Sequence, residues 1–146
     1  MEKNWLKFSE IQPRELTDVI LFQLEGEPYP IKSPIQLLAH LIYKLCLTTR
    51  NKKEIIKICS RYNIPVFDYE KLQEIDCKKK EIINVCPEIY LKTNLNTNHL
   101  YNFIFWMLFE LEIGTESLLI KKRNKKHLPS STTSTLFSVE YSKAFE

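Results

Sequence analysis

Glycine is almost missing from this sequence: there are only 2 in 146 residues, Gly26 and Gly114, far apart in the chain. A phosphate-cradling loop needs several backbone positions that only glycine fills cheaply, so P-loop and dinucleotide-fingerprint chemistry is excluded. The 4 cysteines, Cys46, Cys59, Cys77 and Cys86, contain no C-x-x-C pair. They therefore lack the short ligand spacing of a structural zinc site and read as reduced thiols, mostly small core residues, in a cytosol. No apolar run precedes a small-residue cleavage site at the N-terminus, which predicts no secretory leader and a cytoplasmic setting. The longest apolar stretch, Phe103–Leu111, is interrupted by Glu110 and is too short to span a bilayer, so no membrane role is expected. His40, His99 and His127 stand alone, without the H-E-x-x-H spacing of a metal site. Cys59 has Lys57 and Arg61 nearby but falls on an apolar stripe, and Cys86 precedes Pro87. No G-x-S-x-G elbow and no paired-acid signature is present. The expectation is a chain with no catalytic residues, no cofactor and no metal; a small nuclease or toxin would need groups that only folding assembles.

Apolar residues make up 44% and aromatic residues 12% of the chain, enough for a core of one domain. That domain is expected over residues 1–127. A Ser/Thr-rich tail follows over 128–146, whose "LFSVEYSKAF" regains apolar side chains and is expected to stay flexible or to dock. Net charge is +3 and is unevenly spread. Residues 1–49 hold 5 basic and 6 acidic side chains, whereas 50–127 hold 15 basic and 10 acidic, a net of +5. The basic residues form three runs: Arg50, Lys52, Lys53 and Lys57; Lys78, Lys79 and Lys80; and Lys121, Lys122, Arg123, Lys125 and Lys126. Two runs on one face would attract phosphates. The blander reading is that lysines solvate the surface and that "KKRNKK" ends an edge strand, blocking further pairing.

Periodicity supplies the elements. Trp5, Leu6 and Phe8 anchor a short N-terminal helix or arm. Val19–Leu24 and Tyr29–Lys32 read as a hairpin around "EGEP". Ser33-Pro34 opens a helix whose Ile35, Leu38, Leu41, Ile42 and Leu45 make an apolar stripe. Asn51, with Glu54 three residues on, caps a second helix that Asn63 and Pro65 end. Residues 66–87 are dense in charge and read as a surface excursion with a partial helix. Ile89–Thr93 is a strand, a helix runs from about Asn98 to Glu112 with Ile113-Gly114 as its stop, and Ser117–Arg123 is the last strand. The predicted fold is α+β, a small mixed sheet of about four strands in the order β-β-α-α-β-α-β, packed on a central apolar helix. That helix is apolar nearly all round. It is either the central core element or is covered on one side by a partner. Core packing is the default, and exposure of Phe105, Trp106 and Phe109 would mark a protein interface.

The segments "PYPIKSPIQLLAHLIYKL" and "EIYLKTNLNTNHLYNFIFWMLFELEIGTESLLIKK" resemble a small bacterial domain that occurs alone or at the C-terminal end of proteins in restriction and anti-phage loci. The resemblance covers residues 19–123 and rests on Lys32, Ser33, Tyr90, Thr93, Asn94, Gly114 and Ile120. The chain departs from the pattern at Pro34 and at Asn96-Thr97, which bears on helix capping. The resemblance implies a defence setting and an accessory or recognition role, and brings no catalytic residue with it.

The reading that combines these points is a non-enzymatic accessory subunit of a bacterial anti-phage defence system. It would contact another protein of the same operon, or itself, through Phe105, Trp106 and Phe109. The alternative is a nucleic-acid-binding module using Lys52, Lys53, Lys57, Lys121, Lys122, Arg123, Lys125 and Lys126.

Overall fold

The computed structural model describes residues 5–49, 51–74 and 81–123. In chain order the elements are β1 (Trp5–Lys7), two 3-10 turns (Phe8–Glu10 and Pro13–Asp18), β2 (Val19–Leu24), β3 (Glu27–Pro30), α1 (Ile35–Thr49), α2 (Lys52–Arg61), β4 (Val66–Phe67), α3 (Tyr69–Glu74), β5 (Ile82–Cys86), β6 (Ile89–Lys92), α4 (Thr97–Glu110) and β7 (Leu118–Lys122). The class is α+β, as the order of elements predicts. The strands divide between two sheets, one with the order β1-β7-β2-β3 and one with the order β4-β6-β5. Every strand pairing is antiparallel.

The β2–β3 hairpin turns on Glu25 and Gly26, both at positive φ (56° and 90°), the two-residue geometry that matches strand twist. Pro28 and Pro30 lie on β3, an edge strand, where a missing N–H costs no ladder bond. The final strand is not an edge. β7 lies between β1 and β2, with Ile120 facing both Leu6 and Phe22. Lys121 and Lys122 therefore do not guard an exposed ladder. The N-terminal arm is a strand followed by a turn of 3-10 helix, and its Phe8 is fully buried.

The helix starts follow the expected caps, with one change. Ser33 accepts from the amide of Ile35 at 3.4 Å, but Gln36 also reaches back to the amides of Lys32 (2.6 Å) and Ser33 (3.3 Å). Asn51 accepts from the amide of Glu54, and Asn96 accepts from that of His99 at 2.8 Å. The stop of α4 differs from the glycine expected. Glu112 takes the left-handed conformation (φ 60°), and the amides of Glu112 and Ile113 bond back to the carbonyls of Phe109 and Leu108. Asn63 ends α2 in the same way.

Residues 66–74 and 81–87, the described parts of that charged stretch, are more structured than their charge suggests. They supply β4, α3 and β5, and so most of the second sheet. Asn84 donates from Nδ2 to the carbonyls of Cys86 and Ile89, closing the irregularity where β5 slips register. Cys46 of α1 and Cys86 of β5 face each other as a disulfide pair across 40 residues of chain, a pairing that the sequence reading does not anticipate. The fold brings β5 against α1, which no local sequence signal announces.

One apolar cluster links both sheets and all the long helices. α1 lies at its centre, packed by α2, α4 and β5, with Leu38, Leu41 and Ile42 fully buried. Each such side chain stabilises the fold by about 1.5–3 kcal/mol. α4 packs on α1 and on the Pro13–Asp18 turn through Leu100, Phe103, Ile104, Met107 and Leu108. Among the described residues no helix is long and apolar enough to cross a membrane. The expected tail over 128–146 lies outside the described residues.

Candidate interaction surface

A helix that is apolar all round must leave part of its surface outside the core it packs on. α4 does so with three aromatic side chains at i, i+1 and i+4. Phe105 is 40%, Trp106 37% and Phe109 63% exposed. They form one stripe, not three isolated rings. Trp106 meets Phe105 edge-on at 5.3 Å and Phe109 edge-on at 5.9 Å between ring centroids. On its other side Trp106 stacks on Tyr62, the C-cap of α2, at 4.8 Å with the planes 10° apart. These are favourable aromatic geometries.

Tyr62 is in turn fixed by Glu110, which accepts a hydrogen bond from its hydroxyl and forms an ion pair with Arg61 at 3.0 Å. The hydrogen bond to Glu110, followed by desolvation, raises the Tyr62 pKa above its ordinary value. The stripe is therefore held from behind by a Tyr62–Glu110–Arg61 group joining α2 to α4. Neither Tyr62 nor Glu110 stands out as a site residue in the sequence. The only signal is that Glu110 is the one charge inside the apolar run Phe103–Leu111.

The basic candidates fare differently. Lys52 of α2 is paired with Glu88 of the β5–β6 turn. Lys122 pairs with Glu15 at 2.6 Å, and that hydrogen bond, with a second from the Gln12 amide, holds the Glu15 carboxyl below the usual carboxylate range. Lys121 sits over the ring of Trp5 at 6.0 Å. Arg123 is exposed, and its amide donates to the Asp18 carbonyl at 2.7 Å. Lys53 and Lys57 are exposed on α2. The Lys52–Lys57 run belongs to a helix packed on α1 and β4, while Lys121–Arg123 belongs to the interior of the four-stranded sheet and its end. Arg50, Lys78, Lys79, Lys80, Lys125, Lys126 and His127 lie outside the described residues.

The remaining reactive groups are embedded in packing. Burial pushes the Cys59 thiol up to about 12, far from a thiolate at neutral pH. His40 is half-buried between the rings of Phe22 and Tyr29. Desolvation, then the nearby Lys44 charge, lowers its pKa. His99 stacks on Phe103 at 6.0 Å. One cavity gathers Glu25, Glu112 and Glu116, but Glu25 is already paired with Lys44 at 2.6 Å. Among the described residues no three His, Cys, Asp or Glu side chains are placed to hold a metal ion. Of the positions carrying the sequence resemblance, Ile120 is a core residue, while Lys32, Ser33 and Gly114 lie in the segments that join elements. No family model, no curated protein and no solved structure matches this chain.

Proposed function

We propose that this chain is a non-enzymatic contact module that docks on a protein partner through the outer face of α4. One observation supports the reading above others: Phe105, Trp106 and Phe109 form a continuous aromatic stripe, partly open to solvent, with Trp106 fixed by its stack on Tyr62. Large aromatics held in place lose little entropy on docking, and Trp and Tyr dominate interface energetics. On the sequence resemblance, we read such a module as an accessory subunit of a bacterial defence operon, acting in the cytoplasm. Because a cytosol keeps thiols reduced, Cys46 and Cys86 would lie there as facing thiols that bond on oxidation.

Nucleic-acid binding is the weaker reading, because Lys52 and Lys122 already satisfy carboxylates. Co-expression of the full chain with the products of its neighbouring genes tests the proposal. A complex that forms with the natural chain and is lost with Phe105→Ser/Phe109→Ser supports it. A natural chain that stays monomeric and co-purifies with nothing, or a variant that binds equally well, overturns it. Binding to an oligonucleotide that weakens steeply with salt would favour the other reading.

A further inference from the structure

Beside the aromatic stripe a cavity of about 460 Å³ opens between the C-terminal end of α2 and the first half of α4, and Trp106 forms part of both. Its walls are of two kinds. Trp106, Phe103 and Leu95 are apolar. Asn63, Asn102 and Lys92 add hydrogen-bonding groups and a positive charge. Among the described residues no carboxylate lines the cavity and none forms an ion pair with Lys92. The nearest contrast is Arg61, two residues before Asn63, whose charge Glu110 already balances.

A concave site with apolar walls and a few placed polar groups is the usual form of a ligand pocket. We propose that this cavity is the anchor pocket of the contact surface. It takes an aromatic or leucine-sized side chain of a partner segment that also carries a carboxylate, and the carboxylate reaches Lys92. This inference rests on the protein-contact reading of α4 and names the chemistry of the partner: an acidic, apolar peptide segment. The same features disfavour a nucleic acid. A phosphate backbone is followed by several free cations in a row, whereas this cavity has one lysine and shares Trp106 with the aromatic stripe. Lys92, which pairs with no described carboxylate, gives the site its sign preference, and the aromatic wall gives it the apolar anchor.

The test is selection of a phage-displayed random peptide library on the full chain, followed by fluorescence polarisation with the most enriched peptide. The expected winners carry an aromatic or leucine next to Asp or Glu. Lys92→Ala is expected to weaken the selected peptide about tenfold, the usual scale of a charged hydrogen bond. Asn102→Asp, an exposed change that leaves the core untouched, is expected to weaken it as well by placing a carboxylate in the pocket. Enriched peptides without acidic residues, or binding unaffected by both variants, would overturn the pocket assignment. If such binding were still lost in Phe109→Asp, the α4 contact reading would survive without the pocket. Failure to enrich any peptide, together with Lys92-dependent binding of a fluorescein-labelled oligonucleotide, would overturn the acidic-peptide assignment in favour of nucleic acid.

Discussion

The helices α1 and α4 are equally hydrophobic on average, yet they use that hydrophobicity differently. α1 buries Ile35, Leu37, Leu38, Leu41, Ile42 and Leu45 and is covered by α2, α4 and β5. α4 buries a comparable face and leaves three adjacent aromatics on the opposite one. α1 also exposes apolar side chains, Tyr43 and Leu47, which lie four residues apart, whereas the exposed aromatics of α4 touch one another and Tyr62. Mean hydropathy alone therefore does not separate a core helix from a contact helix. The distribution around the axis does, together with what holds the outward residues in place.

The contrast can be broken or sharpened by substitution. The largest effects are expected in the shared core. Leu41→Ala on α1 and Ile104→Ala on α4 should each lower unfolding free energy by about 2–5 kcal/mol, because both side chains are fully buried and leave cavities. Chemical denaturation midpoints check this, with Phe105→Ala as the outer-face control, expected to shift stability by only about 0.5 kcal/mol. A Phe105→Ala cost equal to that of Ile104→Ala would mean that the outer face serves packing.

Next in size is the link between α1 and β5. Closing a 40-residue loop through Cys46 and Cys86 should stabilise the oxidised chain by about 2–4 kcal/mol. Thermal melts with and without reductant read this effect. Cys46→Ser should abolish the difference, while buried Cys59 stays unreactive to thiol reagents in the folded state. No α4 substitution on the outer face should alter it.

Glu112→Gly should raise stability by about 1 kcal/mol, because Glu112 occupies a left-handed position that glycine adopts without a Cβ clash. The smallest effect concerns Glu15. Its folded pKa lies below the ordinary value, so the pairing with Lys122 stabilises the fold at neutral pH and that contribution fades as pH falls through the depressed value. Glu15→Gln should therefore lower the denaturation midpoint slightly at neutral pH. The difference should vanish in strong acid, where both forms are uncharged.

Local signals in the sequence were enough for the β2–β3 hairpin, the stripe on α1, the Asn51 cap of α2 and the strand at β7. Each is written in residues a few positions apart: Gly26 in its turn, leucines at helical spacing, Asn51 before Glu54. What stayed hidden joins distant residues. β1 is three residues long and finds its partner in β7 at the other end of the domain, so Trp5 gives no strand period of its own. β4 has two residues, and β5 alternates poorly because of its irregularity at Asn84. The second sheet thus hid within a charged stretch. The Cys46–Cys86 pair and the Tyr62–Glu110 bond likewise depend on packing between elements. For the candidate site, the sequence named Phe105, Trp106 and Phe109 but not the group that braces them.

A single variant, Phe109→Asp, separates packing from contact on the outer face of α4 when stability and association are measured on the same preparation. The expected result is an unchanged denaturation midpoint and loss of the complex with the partner protein. A midpoint that falls as far as that of Ile104→Ala, or a complex that persists with the charged side chain in place, would contradict it.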